Sequence, residues 1–241
     1  TMLRLRLLTW DVKDTLLRLR HPIGENYSAL AQVHGVQVRP EALTKSFHQA
    51  YKVQSKHFPN YGLSKGLSSK QWWADVVKQT FRLAGVHEDR LLTSIAESLY
   101  REYCSAQTWE LLPGARETLG QCRQLGIRMA VISNFDMRLE KILSHCNLRH
   151  HFDFVLTSEE AGFAKPDLRI FQRALHISGV APQQAAHVGD SYVKDYRAAR
   201  DAGMHSFLLT AAGCANRWER EVPKEHVLPS LTHLLSVIGK G

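Results

Sequence analysis

Leu-Leu-Thr-Trp-Asp-Val-Lys-Asp-Thr-Leu, residues 7–16, is the stretch that decides how this chain folds. An apolar run suited to a buried strand stops at Asp11 and polar residues follow, which places a carboxylate at the carboxyl end of a strand. In open α/β sheets that edge is where ligands bind. Taken alone, an Asp there is more often a turn former or the cap of a following helix than a nucleophile. Upstream, Leu3, Leu5 and Leu7 alternate with Arg4 and Arg6, as in a strand entering a core from an exposed end, so a strand is expected over residues 3–10.

Beyond this stretch the character of the sequence changes. Helical patterns run over residues 26–34, 40–58, 69–84 and 90–103, punctuated by Gly35, the Pro59-Asn60-Tyr61-Gly62 turn and Gly85. No strand pattern lies among them, and a helical bundle inserted after the first strand is expected. Trp72 and Trp73 are adjacent, hence about 100° apart on a helix, so at most one faces any given pocket. From Trp109 onward helix and strand alternate. Strands are expected at 128–132, 154–156, 185–188 and 206–209, with helices at 113–126, 137–146, 166–179, after Asp190 as far as Ala202, and finally at 229–237. This βαβα order predicts an α/β protein with a Rossmann-like parallel sheet. The expected division is a core of residues 1–18 and 106–241 and an inserted helical cap of residues 19–105.

Composition narrows the function classes. With 241 residues, 44% of them hydrophobic, the chain can bury a substantial core. The formal charge is +8, but the basic residues are scattered among acids and form no run interleaved with aromatics. Nucleic acid is therefore not an expected partner, whereas a positive field suits anionic small molecules. Cys104, Cys122, Cys146 and Cys214 are far apart and form no Cys-x-x-Cys pair, which signals neither zinc nor a disulfide framework and fits a reducing, cytoplasmic setting. No apolar run approaches the roughly 20 residues needed to span a bilayer, and with a strand expected so early no leader peptide is expected either. The thirteen histidines include no His-Glu-x-x-His pattern, and His187, within an apolar strand, reads as buried structure.

Three strands end in polar residues: at Asp11, at Ser133-Asn134 and at Gly189-Asp190. In a parallel sheet all three lie on one edge, so residues about 120 and 180 positions apart converge. Lys165, ahead of Pro166-Asp167, sits on a loop that can return there. Carboxylates, a hydroxyl, an amide and a cation together can hold a divalent metal and neutralise a phosphoryl group. These stretches, with Val-Ile-Ser-Asn-Phe-Asp at 131–136, Ala-Lys-Pro-Asp at 164–167 and Val-Gly-Asp-Ser-Tyr-Val-Lys-Asp at 188–195, resemble the motifs of the haloacid dehalogenase superfamily over the whole chain. The resemblance implies roles residue by residue. Asp11 would be the nucleophile, forming an aspartyl-phosphate that water hydrolyses. Ser133 and Asn134 would bind the phosphoryl group, Asn134 through backbone donors, and Lys165 would offset charge between nucleophile and phosphate. Magnesium would be held by Asp11, Asp190 and the main-chain carbonyl of Lys13, with Asp195 orienting metal-bound water or Lys165. The implied partner is a small phosphorylated molecule.

One position departs from the family pattern. Two residues after the nucleophile, where the phosphatases carry a second Asp that protonates the leaving oxygen and activates water, this chain has Lys13. An ordinary lysine is protonated near neutral pH and is no general base. The next position, usually Gly, is Asp14, one of the few other residues that tolerates a left-handed backbone. Three readings stay open. In the first, Asp14 or a cap residue stands in, giving a slow magnesium-dependent phosphatase; in the second, the chemistry is that of the dehalogenases or phosphonatases, although Gly189-Asp190 argues for metal; in the third, the site binds a phosphorylated ligand or protein partner without turnover.

Overall fold

The computed structural model describes residues 4–210 and 221–238. Leu3 and Cys214 lie outside the described residues. In chain order the elements are β1 (Leu7–Trp10), β2 (Leu17–Leu19), α1 (Ile23–Val33), α2 (Pro40–His57), α3 (Ser69–Leu83), α4 (Asp89–Glu102), β3 (Trp109–Leu111), α5 (Ala115–Gln124), β4 (Arg128–Ser133), α6 (Leu139–His145), β5 (Phe154–Thr157), α7 (Ser158–Ala161), α8 (Leu168–Ser178), β6 (Ala185–Gly189), α9 (Ala198–Asp201), β7 (His205–Leu209), β8 (Val227–Leu228) and α10 (His233–Ile238). Among the described residues no helix is long and apolar enough to cross a membrane.

Six strands form one parallel sheet in the order β5-β4-β1-β6-β7-β8. All four residues of β1 are fully buried, which is why its sequence reads as an unbroken apolar run rather than an alternation. Its register aligns Trp10 with Val131 of β4 and Val188 of β6, so Asp11, Ser133 and Asp190 follow their strands onto the same edge. One sheet face packs Leu7, Ala130, Ile132 and Leu156 against Ile170, Phe171 and Ala174 of α8 and Ala198 and Ala199 of α9.

The chain divides into two compact units. The α/β unit comprises residues up to Arg18, Leu111–Phe135 and those from Cys146 onward; the helical unit comprises Leu19–Glu110 and Asp136–His145. The helical unit thus extends beyond residue 105, where the sequence suggested a return, and hydrogen bonds explain why. The Arg20 guanidinium donates to the carbonyls of Gln107 and Trp109, and the Trp109 indole donates to the Tyr103 carbonyl. The α6 segment joins the same unit because Trp73 Nε1 donates to Asp136 Oδ2 at 2.8 Å and Arg138 donates to the Tyr100 carbonyl. Arg138 also pairs with Asp136 and lies over the Tyr100 ring.

Within the helical unit, Tyr27, Phe47, Trp72, Val76, Phe81, Leu92 and Ile95 fill the core. Trp72 is buried and Trp73 partly so, as their helical offset requires. Ser68 and Gln71 form a reciprocal capping box at the start of α3. In the α/β unit α8 starts at Leu168 rather than at Pro166, because Asp167 caps it by accepting from the Arg169 amide.

Candidate functional site

The end of β1 delivers Asp11, and its amide donates to the Val188 carbonyl across the sheet. The chain then turns tightly: the amides of Thr15, Leu16 and Leu17 all donate to the Val12 carbonyl, and Asp14 adopts a φ of 63°. Asp14 occupies the left-handed position that the sequence assigned it. The turn carries the fully buried Thr15 back under the carboxylates, where its hydroxyl lies 3.3 Å from both Asp11 Oδ2 and Asp190 Oδ1. Lys13 and Asp14 pair with each other at 2.8 Å, each side chain about half exposed.

Lys165 organises the centre. Its ammonium is almost completely buried and touches two carboxylates, Asp11 Oδ1 at 2.9 Å and Asp195 Oδ1 at 2.5 Å. Burial opposes the charge, but Asp11 and Asp195 outweigh it and hold the lysine pKa above its ordinary value. The Asn134 side chain fixes the lysine's backbone, its Nδ2 donating to the Lys165 carbonyl and its Oδ1 accepting from the Lys165 amide. Asn134's side chain is therefore spent on positioning Lys165. Ser133 is buried at the end of β4, on the same edge.

Asp195 arrives by a device the sequence did not advertise. A π-helical turn over Tyr192–Arg197, in place of regular α-helix after Asp190, folds its carboxylate back beneath the strand end. There Oδ1 accepts from Lys165 and from His187 Nε2, and Oδ2 accepts from the Ser191 amide. Burial would raise this carboxyl, yet the charge of Lys165 and the hydrogen bond from His187 win and hold it well below the usual range. His187 itself is pushed down by burial against the pull of Asp195. Gly189 makes room, since a Cβ there would collide with the Asp195 carboxylate.

Among the described residues no cation pairs with Asp190 in this way. Burial, then the charges of Asp11, Asp195 and Asp14, push its pKa up to about 7. Asp11, Asp190 and Asp195 each bring an oxygen within 4.8 Å of the others. Three carboxylates against one buried ammonium leave an excess of negative charge, and an all-oxygen donor set suits a hard divalent cation. Asp195, already accepting three hydrogen bonds, serves as an anchor, leaving Asp11 and Asp190 as the better ligands. Thr9 and Thr15 stood in the opening stretch with no role assigned, and His187, which the sequence marks as buried structure, is buried and hydrogen-bonded to Asp195.

A carboxylate closing the central strand of a parallel sheet, with a buried lysine and two further aspartates, defines a class, and sequence comparison agrees with it. A family-level sequence model of haloacid dehalogenase-like hydrolases matches residues 5–203, and the chain belongs to that family. Over 237 residues it is 58% identical to the haloacid dehalogenase-like hydrolase domain-containing protein 3 of Homo sapiens, covering 98% of this chain and 94% of that protein. Among solved structures it resembles a 2-haloacid dehalogenase from Pseudomonas syringae pv. Tomato DC3000, with a TM-score of 0.70, 21% identity and coverage of 98% and 99% of the two chains. A Bacillus subtilis HAD-hydrolase, YfnB, bound to magnesium, superposes with a TM-score of 0.72 at 18% identity, again over 98% and 99% of the chains. At such identities the likeness to the solved structures is one of fold.

Proposed function

We propose that the protein is a magnesium-dependent phosphatase of small phosphorylated molecules that works through an aspartyl-phosphate on Asp11. The observation that carries this reading is the Lys165 ammonium bridging Asp11 and Asp195 beside the under-compensated Asp190. With Lys165 on Oδ1, an Asp11 oxygen attacks phosphorus in line. The new Asp11 O–P bond forms as the bond to the leaving oxygen breaks, and that oxygen keeps the electron pair. Water then attacks the same phosphorus, releasing inorganic phosphate and restoring the carboxylate. Lys165 offsets charge on the phosphoryl oxygens and Ser133 supplies a hydroxyl donor at the strand end. Magnesium held by Asp11, Asp190 and the main-chain carbonyl of Lys13 would supply Lewis-acid neutralisation of those oxygens.

Lys13 shapes which substrates are expected. The position that would hold an acid/base carboxylate holds an ammonium tied to Asp14, so the leaving oxygen departs without a proton from that residue. Good leaving groups, aryl phosphates above all, are favoured. The same ion pair supports a second reading, in which the site binds a phosphorylated ligand without turning it over. Magnesium-dependent hydrolysis of p-nitrophenyl phosphate separates the two. Asp11→Asn is expected to abolish it, and Lys13→Asp to raise it by up to about 10²-fold, within the range ascribed to general acid/base catalysis. Unchanged activity in Asp11→Asn removes the nucleophile assignment. Absence of turnover alongside binding of magnesium and inorganic phosphate establishes the second reading.

A further inference from the structure

His187 is fully buried in β6, and nothing in the proposed chemistry above uses it. The sheet register pairs it directly with Thr9 of β1. Its two ring nitrogens are both engaged: Nδ1 lies 2.7 Å from Thr9 Oγ1 and Nε2 lies 2.9 Å from Asp195 Oδ1. Phe171 meets the ring edge to face at 5.2 Å between centroids, which fixes its plane. An ionised carboxylate only accepts, so the proton between these two residues sits on Nε2. Asp195 in turn touches Lys165, and Lys165 touches Asp11. The result is one buried chain, Thr9–His187–Asp195–Lys165–Asp11, running from a β-strand hydroxyl to the proposed nucleophile.

We propose that His187, pinned by Thr9, is a positioning residue: its Nε2–H fixes the rotamer of Asp195, and Asp195 thereby aims the Lys165 ammonium at Asp11. Of the two donors on Asp195 Oδ1, Lys165 is the group to be aimed, so His187 is the one that holds the carboxylate independently of it, with the Ser191 amide on Oδ2. The buried Lys165 ammonium is shared between the two anions Asp11 and Asp195, so a displaced Asp195 would draw the lysine off the nucleophile. Mutating the hydrogen-bond partners that orient the groups of a metal site typically costs about 10- to 100-fold in affinity or activity. The catalytic part of the inference rests on the phosphatase reading; the hydrogen-bond part does not.

The test has one arm for each part. In unsubstituted protein, ¹⁵N–¹H correlation of the His187 imidazole is expected to show a protected Nε2–H, and Thr9→Val to speed its exchange. A ring protonated only on Nδ1, or an exchange rate indifferent to Thr9→Val, overturns the proposal whether or not the protein hydrolyses anything. With p-nitrophenyl phosphate and magnesium, His187→Leu is expected to lower kcat about 10- to 100-fold with KM within about twofold. His187→Gln, whose amide can place a donor near the Nε2 position, is expected to recover most of the loss. A Leu variant with full kcat, or a folded Gln variant no better than Leu, overturns the proposal. If His187→Leu does not fold, the Gln variant and the exchange measurement decide. Lack of hydrolysis by unsubstituted protein counts against the phosphatase reading alone, and the imidazole spectrum then decides this one.

Discussion

Asp190 is the carboxyl whose protonation the site moves toward neutral pH, and its behaviour is measurable. An unfolded carboxylate titrates near 3.9, whereas the folded Asp190 is pushed up to about 7 by burial and by the anions around it. A raised folded pKa contributes stability below the unfolded value, and that contribution is lost as pH rises through about 7. In EDTA, therefore, Asp190→Asn is expected to melt higher than the unsubstituted protein by a margin that grows from pH 5 to pH 8. A divalent cation must displace that proton, so the increase in Tm on adding magnesium is expected to grow over the same interval. Scanning fluorimetry across the range checks both, and a magnesium shift that is flat with pH contradicts the assignment of Asp190 as a ligand. At this scale the sequence was informative where a strand end exposed a polar residue, as at Asp11, Ser133 and Asp190. It did not say what Thr9 and His187 touch, because a side chain inside an apolar strand carries no mark of which neighbour the register will give it.

Among the elements, the π-helical turn after β6 matters most to the site. Its wider winding is what brings Asp195 under Gly189, and the glycine has no Cβ because the carboxylate fills that space. Gly189→Ala must displace Asp195 and is expected to reduce magnesium-dependent hydrolysis by at least about tenfold, the scale of losing a supporting partner. A fully active alanine variant would mean that Asp195 does not need its observed position. The capping box at α3 predicts a purely structural effect. Ser68→Ala removes the acceptor for the Gln71 amide and is expected to cost about 1 kcal/mol in urea unfolding, with kcat unchanged. Helices α2 to α4 were legible to within a residue at each end, since periodicity and glycines mark them, whereas α1 begins at Ile23, three residues before the expected start. The assignment of α6 to the helical unit was not legible, because the Asp136–Trp73 and Arg138–Tyr100 contacts that decide it join segments far apart in sequence.

For the whole molecule, charge is the property that composition predicts and the site can use. A formal +8 should draw phosphorylated anions toward the protein, and screening weakens that attraction. Raising NaCl from about 0.05 to 0.5 M is expected to increase KM for an aryl phosphate severalfold while kcat changes little. A KM indifferent to salt would confine the relevant electrostatics to Lys165 and its immediate partners. The sheet order has a consequence during synthesis. β1 is made first, yet its neighbours are β4 and β6, the latter finished roughly 180 residues later; at about 5–20 residues per second that is about 10 to 40 s of elongation. Until β4 is made neither edge of this four-residue strand can pair, and until β6 is made one edge stays open, while the intervening helices can form from contacts near in sequence. A ribosome-bound fragment ending shortly before β6 would expose one edge of the strand that bears the proposed nucleophile, making it a natural client for a chaperone that captures extended apolar chain.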